Sequence, residues 1–411
     1  MKHPLLATLT SLRGNERICV LTEPLWAIPF ALYTPFFSVY LHALGISDRR
    51  IGILLSLAMF CQVFAVLFGG ILTDKFGRRM ITFVVDLFAW SMPALLWMLA
   101  QDFWWFVAAA VFNSLWQVTN VSWNCLMVED CDKSKLVHIY TWCTIAGLLS
   151  VFFAPLASLL VAQYTMITAF RILMAVMAIM MTTKFVILFL LSKETGQGQV
   201  RMRETKGVPV SKMLGEYRHL IRQMLKTPET LQILAIMVII NITNTVTLNF
   251  FGLYTTQNLG LAEQNLALFP IGRAAVMLLF IFAVQGRLNQ LSFKIPMLTG
   301  LVLYIASQVV LISAPKDNLA FLLIYVLLEA FAYALVIPQK DSLQVLMIDP
   351  AERARIFALL IAAMIGISAP FGWIAGELSQ QDRSWPFILN IILFVGCFML
   401  ITRLRLHSRQ E

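Results

Sequence analysis

Charge is what this chain has least of. Asp, Glu, Lys and Arg make up 13% of its 411 residues against 59% apolar ones, about half the charge of an average soluble domain and well above its apolar share. A water-solvated enzyme and a disordered tail are both excluded on those grounds. Only five histidines occur, and the six cysteines show no metal-ligand spacing. With no HExxH-type motif and no nucleophile-base pair either, the chain is expected to be no enzyme and to hold neither metal nor cofactor. Cys19, Cys61, Cys125, Cys143 and Cys397 fall in apolar stretches and Cys131 in a connection, so none is placed for an external disulfide and a disulfide-stapled secreted scaffold is excluded. The net charge of +9 is spread along the chain, and no single exposed basic domain offers itself to nucleic acid.

Apolar runs of about 20 residues fill the chain instead, each long enough to cross ~30 Å of hydrocarbon as a helix. Twelve are read, at about 18–43, 50–72, 80–100, 103–127, 136–162, 166–191, 230–257, 265–285, 293–313, 318–340, 355–377 and 385–402. An even number places both termini on one side. Connections on that side hold most of the 31 basic residues, whereas the opposite connections hold Arg49, Arg50, Lys316 and Arg383, so the positive-inside rule puts both termini in the cytoplasm. The first apolar run is too long and too Pro-broken for a cleaved signal peptide. One connection alone is long. It divides the chain into a six-span half over 1–191, a cytoplasmic linker over 192–229 and a second six-span half over 230–411. Residues 194–208 are Gly-containing and charged and read as flexible. From Val210 to Leu225 apolar residues recur at helical spacing opposite Lys212, Arg218, Arg222 and Lys226, as in an amphipathic helix on the membrane surface or a solvated linker helix.

The two halves repeat each other. FFSVYLHALGISDRRIG at 36–52 matches FFGLYTTQNLGLAEQNLA at 250–267 with one residue of slack, pairing Phe37 with Phe251, Tyr40 with Tyr254, Gly45 with Gly260 and Asp48 with Glu263. LMVEDCDKSKL at 126–136 matches LMIDPAERARI at 346–356 without a gap. Polar residues align along with apolar ones, which marks an internal repeat.

Between spans 2 and 3 stands GGILTDKFGRRM, residues 69–80. Gly69 and Gly70 permit close helix approach, Gly77 permits a tight turn, and Arg78 and Arg79 follow it. This G-x-x-x-D-x-x-G-R-R pattern, in a chain of twelve spans with a central loop, resembles the signature of the major facilitator superfamily, and the 6 + 6 organisation extends the resemblance over essentially the whole chain. The resemblance implies an all-α membrane fold of two pseudo-symmetric six-helix bundles in a bacterial inner membrane. It further implies a functional monomer that moves a small-molecule substrate across the lipid bilayer by alternating access. By the same resemblance Asp74 faces the start of span 11, where Asp349, Pro350, Ala351 and Glu352 make a strong helix start followed by Arg353. An Arg of the motif pairs with Glu129 or Asp130 at the end of span 4. Together these residues form a cytoplasmic latch.

Polar groups inside spans are costly and face a bundle interior or cavity. Asn113, Gln117, Asn120 and Asn124 form one stripe on span 4, flanked by Trp116 and Trp123. Span 7 carries Asn241, Asn244, Thr245 and Asn249, span 10 aligns Tyr325, Glu329 and Tyr333, and span 1 aligns Glu23, Trp26, Phe30, Tyr33 and Phe37. Spans 1, 4, 7 and 10 are those that line the cavity in the superfamily. Each amide is read either as a helix-helix hydrogen bond or as a contact to an uncharged or amphipathic organic solute. Glu23, Asp86 and Lys184 lie at similar depth, roughly 8 to 10 Å from the cytoplasmic ends of their spans. Lys184 is expected to pair with one carboxylate and leave the other, with Glu23 favoured, to bind and release a proton. Arg273 and Glu329 are either a structural pair or an Arg that binds an anionic group beside a Glu that couples ions. Arg171 is expected to snorkel to the interface. Span 4 lacks the Arg usual in proton-coupled drug exporters, and the Gly-Pro pattern of antiporter span 5 is reduced to Gly147, Ala154 and Pro155. Proton-coupled transport, with efflux one option, therefore stands beside a sugar-like nutrient symporter or uniporter and, from another class, a transport-inactive receptor on the same scaffold.

Overall fold

The computed structural model describes residues 12–132, 135–210, 228–283, 294–316, 318–346 and 353–403; the side chains of 137, 228–229, 281–283, 341–346 and 353–358 are not described. Among the described residues every regular element is a helix. In chain order the helices are α1 (Gly14–Thr22), α2 (Pro24–Tyr33), α3 (Phe37–Ala43), α4 (Asp48–Phe76), α5 (Arg78–Asp86), α6 (Met92–Leu99), α7 (Phe103–Ser114), α8 (Trp116–Val128) and α9 (Leu136–Ser150). They continue as α10 (Ala154–Gln163), α11 (Met166–Leu191), α12 (Gly196–Glu204), α13 (Pro228–Leu253), α14 (Leu268–Ala283), α15 (Lys294–Ile312), α16 (Leu319–Leu346), α17 (Arg353–Gln381) and α18 (Trp385–Arg403). Among the described residues ten helical stretches are long and apolar enough to cross a membrane. The two other expected spans coincide with shorter helices: α7 and α8, parted at Leu115, and α14 with 16 described residues. Large apolar side chains such as Ile179, Leu190 and Leu279 are two-thirds exposed, as hydrocarbon rather than water requires.

The chain divides into two compact units, Met1–Ile46 with Leu57–Leu214 and Ser47–Ser56 with Gly215–Glu411. In the first, Cys19, Val20, Met127, Ile139 and Leu188 close a core between α1, α8, α9 and α11. In the second, Ile236, Ile240, Met297, Leu301, Tyr304, Ala332, Val336, Phe394 and Cys397 do so between α13, α15, α16 and α18.

Irregular turns have traceable causes, because each proline removes a donor and frees the carbonyl four residues before it. Pro24 cannot reach Val20, whose carbonyl accepts from the Glu23 N–H at 3.3 Å instead; α1 therefore ends and α2 begins beside Glu23. Pro93 likewise leaves the Ala89 carbonyl open within the π-turn Leu87–Ser91, and Asn113 fills the vacancy, its Nδ2 donating at 2.9 Å. In α17 the Ser56 hydroxyl enters the helical ladder itself. It donates to Ala369 O at 2.5 Å and accepts from Trp373 N at 2.7 Å, replacing the bond those two would have made.

Residues paired in the sequence repeat share local features. Gly45 and Gly260, paired in sequence, both take φ +77°, a conformation that favours glycine. Tyr40 stacks on Phe170 of α11 at 4.0 Å and Tyr254 lies 5.1 Å from Phe387 of α18. The single residue of slack in the alignment lies between Tyr254 and Gly260, where the chain makes the π-turn Tyr254–Asn258. A π-turn holds one residue more than an α-turn, so the insertion is absorbed without moving the glycine.

Residues 47–56 pack within the second unit through backbone. A Cβ on Gly376 would meet Asp48 O and Gly52 Cα at 2.7 Å, and one on Gly52 would meet Gly372 O at 2.5 Å. Gly372 and Gly376 stand in the small-xxx-small spacing that allows such approach. Gly376→Ala is expected to destabilise the protein by about 1–3 kcal/mol, whereas Gly147→Ala, whose Cβ meets nothing within 4 Å, is expected to leave it unchanged. Thermal unfolding in detergent compares the two.

Candidate functional site

Three groups of polar side chains stand out. In the first unit the break at Pro24 places Glu23 where its carboxylate meets α11: Lys184 Nζ donates to Glu23 Oε2 at 2.9 Å, with both side chains nearly buried. The ammonium also lies 5.9 Å from the Trp26 ring and 5.4 Å from the Trp123 ring, a partly aromatic cage for the cation. Asp86 ends α5 nearby and is buried. It lies within reach of the charges of Lys184 and Glu23. Among the described residues no cation reaches ion-pair distance of Asp86. Of the two carboxylates, then, the one left over is Asp86 and not the favoured Glu23, because the helix break at Pro24 brings Glu23 into direct contact with Lys184. The Trp123 Nε1–H is buried without a partner.

The aromatic stripe of span 1 is largely packing. Trp26 stacks on Phe30 at 4.9 Å and meets Trp90 edge-on, while Tyr33 is buried against Trp97 and Phe170. The amide stripe divides: Asn113 serves the Ala89 carbonyl, Gln117 is buried and Asn120 exposed, and Trp116 is half-buried. Asn124 donates to Asn120 O at 2.6 Å and accepts from Tyr140 at 3.1 Å. Arg171 Nη2 donates to Ala100 O at 3.0 Å, and Tyr40 donates to Trp97 O at 2.8 Å, so both satisfy carbonyls that the end of α6 leaves open.

The second unit gathers the span 10 stripe around one cation. Arg273 Nη2 donates to Glu329 Oε1 at 2.7 Å, with Glu329 buried and a third of the Arg273 side chain accessible. The guanidinium lies 4.1 Å from the Tyr333 ring centre, and Tyr325 stacks on Phe251 at 5.1 Å. Asn241 has a buried Nδ2 without a partner and Asn244 is half-buried. Sequence reasoning missed a buried set on spans 9 and 12, where Asn390 Nδ2 donates to Thr247 Oγ1 at 3.2 Å and to Gln308 Oε1 at 3.4 Å. The signal was two amides in otherwise apolar runs.

The loop motif forms the third group. Gly77 turns the chain at φ +87°. Arg78, 4% exposed, then donates from Nε to Glu129 at 3.0 Å, from Nη2 to Asp74 at 3.0 Å, and from Nη1 to Thr73 O at 3.2 Å. Gly70 packs loosely: a Cβ there would meet nothing within 4 Å. Residues 194–208, expected to be flexible, hold the helix α12. Thr195 caps it, accepting from Gly198 N at 2.9 Å while donating to Glu129 at 2.5 Å. Glu194 caps α5 in turn, its two oxygens accepting from the backbone N–H groups of Arg78 at 2.9 Å and Arg79 at 3.0 Å, where unpaired donors and the helix dipole favour a carboxylate. Arg79 donates to Phe189 O at 2.9 Å and Asp130 accepts from Gly196 N at 3.1 Å. Arg201 of α12 reaches Asp74 at 3.2 Å; Asp74, and after it Glu204, hold that guanidinium above its ordinary value, so it stays charged at any physiological pH. Composition misled here, since charge and glycine marked solvation and hid the reciprocal caps. Asp349 and the amphipathic segment lie outside the described residues, as does the side chain of Arg353.

A model of the Major Facilitator Superfamily matches residues 26–290. The chain belongs to that superfamily and is a membrane transporter of its class. Comparison with curated proteins returns no significant match. Among solved structures it is similar in fold to the nucleoside transporter NupG (TM-score 0.72, 13% identity, covering 96% of this chain and 100% of that one). It is also similar to a POT family transporter in complex with 5-aminolevulinic acid (TM-score 0.71, 13% identity, 96% and 98% covered). A third is peptide transporter POT in complex with sulfate (TM-score 0.69, 12% identity, 98% and 99% covered).

Glu194→Ala removes two charge-assisted bonds to backbone and is expected to cost about 2 kcal/mol. Glu204→Ala removes only the surface pair with Arg201 at 3.0 Å, worth about 0–1 kcal/mol. Thermal unfolding of the two variants should differ in that order, and equal melting shifts would show that Glu194 does not cap α5.

Proposed function

We propose that the protein is a proton-coupled secondary transporter of a small organic solute. It works by alternating access through twelve spans in two pseudo-symmetric six-helix bundles, with both termini cytoplasmic in a bacterial inner membrane. The observation that carries the coupling is Asp86. A carboxylate buried within a span is costly when ionised, and Lys184, the nearest cation, is already held by Glu23 at 2.9 Å. Two carboxylates with one lysine leave one negative charge over, and a proton removes it. Asp86 follows the loop motif directly along α5, so its protonation acts on the helix that begins at Arg78. Arg78, Asp74 and Glu129, together with Glu194 and Arg201, form the cytoplasmic latch in this reading. Solute contacts are supplied by Trp116 and Trp123 in the first unit and, separately, by Asn241 and Asn244 in the second, and neither metal nor cofactor takes part.

Purified protein is screened by thermal shift against sugars, amino acids, nucleosides and cationic drugs at two pH values, and the strongest binder is then followed in proteoliposomes. Asp86→Asn is expected to retain exchange of that solute across the membrane and to accumulate less of it under a pH gradient. Accumulation by Asp86→Asn equal to the unmodified protein would remove Asp86 from the coupling. Glu23→Gln, which leaves Lys184 uncompensated, is expected to lower the melting temperature before it alters coupling.

A further inference from the structure

We infer that Arg273 is an anchor for the carboxylate of an organic monoanion with an apolar body, bound together with one proton on Glu329. The inference rests on the transporter reading above and names the substrate class.

A guanidinium carries five N–H donors. Arg273 commits one of them, to Glu329 Oε1 at 2.7 Å, and among the described residues its other donors meet no protein acceptor. A structural Arg pair within a membrane protein is normally spent more fully: Arg78 of the same chain gives bonds to Glu129, Asp74 and the Thr73 carbonyl and is 4% exposed. Arg273 keeps 34% of its side chain accessible while its partner keeps 8%. Of the two partners, Arg273 is thus the one with accessible side-chain surface and Glu329 the one enclosed. A forked, planar donor with an unused edge matches a carboxylate.

Charge balance sets the valence. With Glu329 ionised, Arg273 is already neutralised, and an entering anion would leave one negative charge in the spans. If Glu329 takes a proton from water as the anion arrives, the anion inherits the guanidinium and the site stays neutral. A dianion such as a phosphate ester would still leave one charge uncompensated, so the balance favours a monocarboxylate. The surroundings set the body of the ligand. Tyr333 lies under the guanidinium, and Tyr325 and Phe251 stack beside the same helix face.

Benzoate, indole-3-acetate and octanoate serve as probes, with benzamide as the neutral control and phthalate as the dianion, titrated into purified protein by calorimetry in buffers of different ionisation heat. At least one monocarboxylate is expected to bind about tenfold or more tighter than benzamide and phthalate, taking up about one proton per molecule bound. Arg273→Gln should abolish that preference. Glu329→Gln should keep the binding and lose the proton uptake, which distinguishes loss of linkage from loss of fold. Binding of no monocarboxylate, equal binding of benzoate and benzamide, or undiminished carboxylate binding by Arg273→Gln would each overturn the assignment. Asp86→Asn separates the two readings: it should bind the monocarboxylate with the same proton uptake, because Asp86 belongs to the other unit, while accumulating less of it under a pH gradient. Lost coupling in Asp86→Asn without carboxylate preference at Arg273 would leave the transporter reading standing alone.

Discussion

An ion in hydrocarbon must find its counter-ion nearby, and that requirement organises this protein. Lys184 and Glu23 are 161 residues apart in sequence and 2.9 Å apart in space, and Arg273 and Glu329 are brought together from helices α14 and α16. Arg78 gathers two carboxylates and a carbonyl. A buried pair adds little net stability against an apolar alternative, yet losing one partner is costly. Such pairs therefore specify which helices lie together more than they strengthen the bundle. Asp86 has no cation at ion-pair distance among the described residues, and that is what makes it chemically interesting.

The same demand applies to backbone. In lipid a carbonyl freed by proline has no water to turn to. Asn113 meets it for Ala89, Arg171 and Tyr40 meet it for the end of α6, and Ser56 meets it inside α17. Polar residues of the spans are thus divided between serving the fold and remaining unspent, and the division follows which helix irregularity each one faces.

Hydrophobic length made the spans legible, because a ~30 Å slab imposes a run of about 20 apolar residues whatever the tertiary structure. The repeat was legible too, down to a one-residue slip that the π-turn at Tyr254–Asn258 accounts for. Composition could not reveal that α12 folds against the loop motif, since Glu194 and Thr195 act through backbone N–H groups whose positions depend on the helices they cap. Nor could the stripe on span 4 disclose that Asn113 is spent on a carbonyl, which follows from Pro93 twenty residues earlier. The choice between Glu23 and Asp86 as partner of Lys184 turned on where Pro24 ends α1, a matter of local geometry at fixed depth.

Every recorded partner of Arg78, Lys184 and Asp74 is encoded before α13 begins. A ribosome releases the chain from its amino terminus, and units complete early fold early. The ionic contacts of the first half can therefore close while the second is still being made, and no lysine or arginine of its interior has to wait in lipid for a carboxylate not yet translated. Asp48 is different: Ser379 and Arg383, which hold it at 2.7 and 2.8 Å, emerge last. Its place at the very start of α4, rather than in mid-span, means that what waits during synthesis is a helix end that water can still reach.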